Sequence, residues 1–267
     1  MKNKINFFLF LLSGLFIIFI CVKNVSAIPV SSNETTSENP DLDKKVSHDM
    51  KKVIYLTFDD GPSYKVTDRV LDILKEKDVK GTFFLIGSQI EGREGVVKRI
   101  YDEGNSIGLH TYTHKFNKIY CSEDKFIQEM LACRIQINNV IGISPNIIRF
   151  PGGSSKHLNN RCLKKLHDNN FKVYDWNMDN TDGLNPKLSP YNLYRKAIKG
   201  SDKLSKVILL LHCTDMNNNT CEALPEIIEY YKSKGYEFKT ITEDTQEPYF
   251  PIPRRTVSSF DDMKSDK

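Results

Sequence analysis

Between Lys51 and Ile241 the chain alternates short apolar, β-rich runs with stretches of helical periodicity, and this alternation limits the fold more than any other feature. Val53–Phe58, Gly81–Ile86, Ser106–His110, Asn146–Phe150, Phe171–Trp176 and Val207–Leu211 read as strands. Thr67–Lys77, Val96–Asp102, Glu123–Ile141, Leu158–Asp168, Ser189–Ile198 and Ala223–Lys234 read as the helices that follow them, and Glu237–Ile241 closes the series. Strands that are apolar on both faces and separated by helices imply a parallel sheet covered by helices. Six to seven such units in one domain point to a closed or nearly closed (β/α) barrel rather than an open sheet. Neither G-x-G-x-x-G nor G-x-x-x-x-G-K-[ST] occurs, so a nucleotide-binding fold has no support.

The flanks differ from this body. A short basic start precedes an apolar run from Phe7 to Cys21, and Val25-Ser26-Ala27 then supplies small residues. This is the pattern of an export signal, expected to be cleaved after Ala27 or retained as a membrane anchor. The run is short for a full membrane span, which needs roughly 20 residues. Residues 28–50 are polar and read as a flexible spacer, residues 51–245 as the folded domain, and residues 246–267, with Pro248, Pro251 and Pro253, as an extended, poorly ordered tail. The expected location is outside the cytoplasm, at the cell surface or in the medium. Lys2, Lys4 and Lys23 are three of the 38 basic residues, so the rest of the chain carries 35 against 34 acidic. A nearly neutral body offers no electrostatic footprint for nucleic acid.

Five cysteines lie outside the signal, and no C-x-x-C occurs, which argues against a cysteine zinc site. Cys213 and Cys221 bracket an Asn-rich stretch, leaving open either a bridge between them or five reduced thiols.

The chemistry-bearing residues fall at strand ends. Asp59-Asp60 ends the first strand, His110 and His114 end the third, and Arg149 closes the fourth. Asp179 and Asp182 follow the fifth, and His212 caps the sixth. In a parallel barrel the C-terminal ends of the strands converge on one face, where active sites form. Two His four residues apart plus one Asp make a sensible ligand set for a catalytic metal with open positions. Arg149 is suited to hold a carboxylate, and the irregular Pro151-Gly152-Gly153 backbone to offer an N–H to a developing oxyanion. His212, oriented by Asp182, suits a general acid. His157 and His167 read as surface residues, and His48 lies in the spacer.

The motifs T-F-D-D-G-P, H-T-x-x-H, R-F-P-G-G and L-L-H, in this order over roughly Lys52–Thr242, resemble the NodB-homology domain of polysaccharide deacetylases, carbohydrate esterase family 4. The resemblance implies a deformed (β/α) barrel of about seven parallel strands. It also implies removal of acetyl groups from an acetylated polysaccharide: peptidoglycan first, with chitin and xylan as alternatives. It assigns Asp60, His110 and His114 to a metal, usually Zn²⁺, though such ligands also take Co²⁺ or Fe²⁺. Asp59 becomes the general base, Arg149 its orienting partner, and His212 the general acid paired with Asp182. The Gly152 N–H becomes an oxyanion donor and Leu210 a wall of the acetyl pocket. One departure stands out: Gly183 follows Asp182 where the family often has Trp, so that wall is missing or is supplied by Trp176. A glycan-binding protein of the same fold without activity is the competing expectation. A glycoside hydrolase needs two carboxylates flanking the bond and no metal. A serine esterase is unsupported because G-x-S-x-G is absent.

Overall fold

The computed structural model describes residues 51–253; the expected signal, spacer and the end of the expected tail lie outside the described residues. Among the described residues no helix is long and apolar enough to cross a membrane. The described residues form eight strands: β1 Val53–Gly61, β2 Thr82–Leu85, β3 Ser106–Leu109, β4 Ile147–Ile148, β5 Lys172–Val173, β6 Met178–Asp179, β7 Lys206–His212 and β8 Glu237–Phe238. The intervening helices are α1 Val66–Glu76, α2 Glu94–Asp102, α3 Phe116–Ile119, α4 Glu123–Ile141, α5 Asn160–Asp168, α6 Pro190–Ile198 and α7 Asn218–Ser233. All pairings are parallel, in the order β5-β4-β3-β2-β1-β7-β6, with β8 added beside β1. The two ends of this path, β5 and β6, are not paired with each other, so the sheet curls into a deformed barrel with one seam.

Side chains alternate across the sheet with period two. Ile54, Leu56 and Phe58 of β1 and Val207, Leu209 and Leu211 of β7 pack outward into the main core with helical residues such as Leu71, Leu74, Leu224 and Ile227. Phe84, Ile147, Tyr174, Ile208 and Ile241 form a second, inner cluster. Asp59, His110, Arg149 and His212 share the inward parity of their strands, so the register that builds the core also turns these four polar residues inward. The register pairs Thr57 with Leu210 and Asp59 with His212 across β1 and β7.

Helix boundaries follow local capping. Ser122, Asn159 and Ser189 accept backbone N–H groups at the starts of α4, α5 and α6, and Gly142, at φ 72°, ends α4. Three expectations need correction. The expected strand Phe171–Trp176 shrinks to β5, and the chain then crosses to form β6, whose two residues carry no periodicity. α7 begins at Asn218 rather than Ala223, because the Asn-rich stretch supplies its first turn and Pro225 is tolerated inside it.

The third correction concerns the tail, which was expected to be poorly ordered from residue 246. Residues 247–252 instead pack along the β5 edge at the seam. The Val173 N–H donates to the Glu247 carboxylate, Asp175 N–H donates to Pro248 O at 2.8 Å, and Phe250 N–H donates to Asp175 Oδ2 at 2.7 Å. Tyr249 and Ile252 pack against the main core. Prolines remove donors but leave carbonyls, and the edge supplies the partners that sequence composition does not reveal. His167, expected at the surface, is exposed there, and its Nε2 lies 2.9 Å from Glu247. Among the described residues all five cysteines are reduced, so the Cys213–Cys221 bridge is not formed. Cys213 is fully buried, and burial pushes its thiol well above the usual range.

Candidate active site

Arg149 is a charged side chain at this face with no exposed surface. A buried guanidinium is costly unless its donors are filled. Its Nε donates to Tyr174 O at 2.7 Å, and its Nη1 donates to Thr57 Oγ1 at 2.7 Å and to Asp59 Oδ1 at 2.9 Å. Its Cζ lies 4.2 Å from the Phe84 ring centroid. Thr57 in turn donates to Leu209 O at 2.7 Å. The guanidinium therefore locks one carboxylate oxygen of Asp59 and leaves Oδ2 free of it, in a residue only 3% exposed.

His110 and His114 face the neighbouring Asp60. His110 Nδ1 lies 2.9 Å from Arg149 O. A carbonyl can only accept, so Nδ1 carries the proton and Nε2 presents its lone pair. That Nε2 is 3.5 Å from Asp60 Oδ1, and His114 Nε2 is 3.2 Å from the same oxygen. Burial, then the neighbouring His110, lowers His114 to about 4, so it is neutral near pH 7. Asp60 Oδ1 is buried without a hydrogen-bond partner. A carboxylate oxygen and two imidazole nitrogens, with ligand atoms all within 4.8 Å of one another, converge here. Buried acceptors facing one another are satisfied by a cation, and the donor set suits a divalent transition metal. The backbone around the cluster is unusual: Asp60, Thr111 and His114 take left-handed φ values of 67°, 67° and 54°. Such strain concentrates at functional sites.

His212 stands beside Asp59 on the inner face. Its Nδ1 lies 2.7 Å from Asp182 Oδ1, and its backbone N–H donates to Asp182 Oδ2 at 2.9 Å. Thr220 Oγ1 also donates to Asp182 Oδ2, at 2.7 Å, fixing a carboxylate that has no exposed surface. Burial pushes the His212 ring down, but the Asp182 hydrogen bond and charge outweigh it and raise the ring to about 9. The ring lies directly against Gly183, where a Cβ would stand 2.3 Å from its Cε1. A side chain at position 183 would therefore collide with the His212 ring as it stands.

Gly152 and Gly153 take φ 74° and 86°, left-handed conformations that glycine alone adopts freely. Gly153 N–H donates to Phe150 O at 2.8 Å, and Tyr120 Oη donates to Pro151 O at 2.7 Å. Trp176 flanks this loop, 3.1 Å from where a Gly153 Cβ would stand, with Phe250 edge-on to it at 5.2 Å. Leu210 is inward, 4% exposed, and paired with Asp179 of β6. The strand-end residues of the sequence analysis thus meet at one face. Thr57, Tyr174, Asp175, Ser154 and Thr220, which hold them, were missed. Inward parity marks Thr57; the others act through contacts over more than 20 residues of chain, which leave no local pattern.

Comparison with known proteins agrees with this geometry. A family model described as polysaccharide deacetylase matches residues 47–174. A peptidoglycan-N-acetylglucosamine deacetylase of Bacillus cereus is 36% identical over 206 residues, covering 76% of this chain and 72% of the relative. The crystal structure of a polysaccharide deacetylase from Bacillus cereus superposes with a TM-score of 0.66 at 35% identity, covering 78% of this chain and 98% of that one. A second crystal structure, a peptidoglycan N-acetylglucosamine deacetylase bound to a naphthalenyl N-hydroxybenzamide, gives a TM-score of 0.65 at 32% identity, covering 72% and 86%. A NodB-like barrel, strand-end motifs in family order and relatives at this identity place the chain in the polysaccharide deacetylase family, among the carbohydrate esterase family 4 enzymes.

Proposed function

We propose that this deacetylase removes the acetyl group from N-acetylglucosamine residues of peptidoglycan, with water as nucleophile, Asp59 as general base and His212 as general acid. The observation that carries the reading is the placement of Asp59 and His212 side by side in register, one held by Arg149 and the other by Asp182, next to the Asp60–His110–His114 cluster. The named activity of the Bacillus cereus relative supports the substrate. The hydroxamic acid bound in the second crystal structure is a metal-chelating group, which supports a metal-dependent site.

Asp60, His110 and His114 would hold the ion, with Zn²⁺ the first choice and Co²⁺ or Fe²⁺ alternatives. When bound, it polarises the acetyl carbonyl and brings the pKa of water from 15.7 to about 7. Asp59 Oδ2, free of Arg149, takes the proton of the attacking water. Arg149, bonded to Oδ1, holds that carboxylate in place. The Gly152 N–H donates to the oxygen on which negative charge develops, an interaction worth roughly 3 kcal/mol of barrier. An amine leaves only when protonated, and His212 Nε2 supplies that proton while Asp182 steadies the imidazolium. Leu210 and Trp176 line the space for the acetyl methyl.

The setting is the outer face of the cell, reached through the N-terminal export signal. Free amines left on the wall would change its charge and its recognition by muramidases. Digestion of enzyme-treated peptidoglycan followed by mass spectrometry tests the substrate. Glucosamine in the products is the expected result; deacetylated muramic acid alone, or reaction only on chitin or xylan oligomers, would overturn it.

A further inference from the structure

Asp175, in the crossover between β5 and β6, is 2% exposed and has no part in the mechanism above. Burial raises its pKa, while donors from Ser154 and Phe250 oppose that rise. Every polar atom it owns joins two other segments. Oδ1 accepts the Ser154 N–H at 3.1 Å, and Oδ2 accepts the Ser154 hydroxyl and the Phe250 N–H. Its own N–H donates to Pro248 O at 2.8 Å, and its carbonyl faces Arg149 Nη2 at 3.5 Å. The Phe250 ring presses on Gly153, where a Cβ would come within 2.8 Å of it.

The segment so anchored needs anchoring. Gly152 and Gly153 are consecutive left-handed residues, and glycine loses more backbone freedom on ordering than any other residue. A donor contributes to a transition state only when its position is fixed beforehand. On the N-terminal side Tyr120 holds Pro151 O, and on the C-terminal side Asp175 holds Ser154. The Gly152 N–H lies between these two supports.

We propose that Asp175 is a positioning residue. It ties the Gly152–Ser154 loop to the C-terminal segment around Phe250 and so holds the Gly152 N–H where the oxyanion forms. The proposal rests on the deacetylase reading and on Gly152 as oxyanion donor. It gives the C-terminal segment a catalytic purpose: the seam of the barrel is closed by a strap that also braces the oxyanion loop.

The test compares wild-type enzyme with Asp175→Ala, Asp175→Asn, Ser154→Ala and Phe250→Ala on the same peptidoglycan fragments. Each is assayed for kcat, KM, bound metal and amide hydrogen exchange. A displacement of about 1 Å can cost on the order of a hundredfold in rate. Asp175→Ala should lose about tenfold to about a hundredfold in kcat, with KM and metal content close to wild type. Ser154→Ala, which removes only a hydroxyl and guards against misfolding of the Asp175 variants, should lose a smaller factor in the same direction. Asp175→Asn keeps one acceptor oxygen and should fall between wild type and Asp175→Ala. Exchange should quicken in the peptide spanning residues 149–155 and stay unchanged in β1. Folded variants with wild-type kcat, or a uniform rise in exchange with lower melting temperature and no kcat loss, would overturn the proposal. A wild-type enzyme that releases no acetate would overturn the deacetylase reading instead, which keeps the two failures apart.

Discussion

Asp59 and Asp60 are adjacent in the chain and opposite in use. Asp59 is buried against Arg149, and Asp60 turns a partnerless oxygen toward two imidazoles. Asp59→Asn should therefore keep its metal and lose activity, by about 10²- to 10⁴-fold as for a general base. His114→Ala should lose the metal itself; metal analysis of the two purified variants separates these outcomes. His212 must be protonated to act, and Asp182 is what raises it. Activity should then fall as pH rises through the His212 pKa, and Asp182→Asn should move that alkaline limb to lower pH. A pH profile of kcat/KM checks the sign. At this scale much was legible. Asp60, His110, His114, Arg149 and His212 carry their chemistry in their own side chains, at strand ends the alternating pattern marks. Thr220 and Ser154 were not legible, because a hydroxyl becomes a support only when folding brings its partner beside it.

At the scale of elements, β1 and β7 do two jobs through one register. Their outward residues make the core and their inward residues make the site, so damage to either face is separable. Leu209→Ala, outward and fully buried, should cost about 2–5 kcal/mol of stability with little change in kcat for the folded fraction, as read by thermal melts alongside kinetics. Gly183→Ala should do the reverse. Its Cβ would meet His212 Cε1 at 2.3 Å and Nε2 at 2.6 Å, so the ring must shift. The expected result is a kcat loss of about tenfold or more with bound metal retained. The long, periodic elements α1 and α4 and the apolar strands β1 and β7 were readable because amphipathic period and apolar runs are local signals. β6 was not, since two residues have no period, and its identity depends on pairing with β7.

The described residues form a parallel barrel with a seam, and the seam is covered by a segment whose three prolines suggest disorder. That segment is held by its contacts with Asp175, Val173 and the core rather than by any propensity of its own. The fold class was readable from the alternation alone, while the closure was a long-range property. The central claim concerns what the assembled face does: a metal cluster and Asp59 together release acetate from an amide. The most direct measurement is acetate release from purified peptidoglycan by the wild-type enzyme with added Zn²⁺, by the same enzyme after chelation, and by Asp59→Asn. The account predicts release by the first and little by the other two, with activity returning when metal is restored to the chelated wild type. Undiminished release after chelation or from Asp59→Asn, or shortened glycans without acetate, would contradict it.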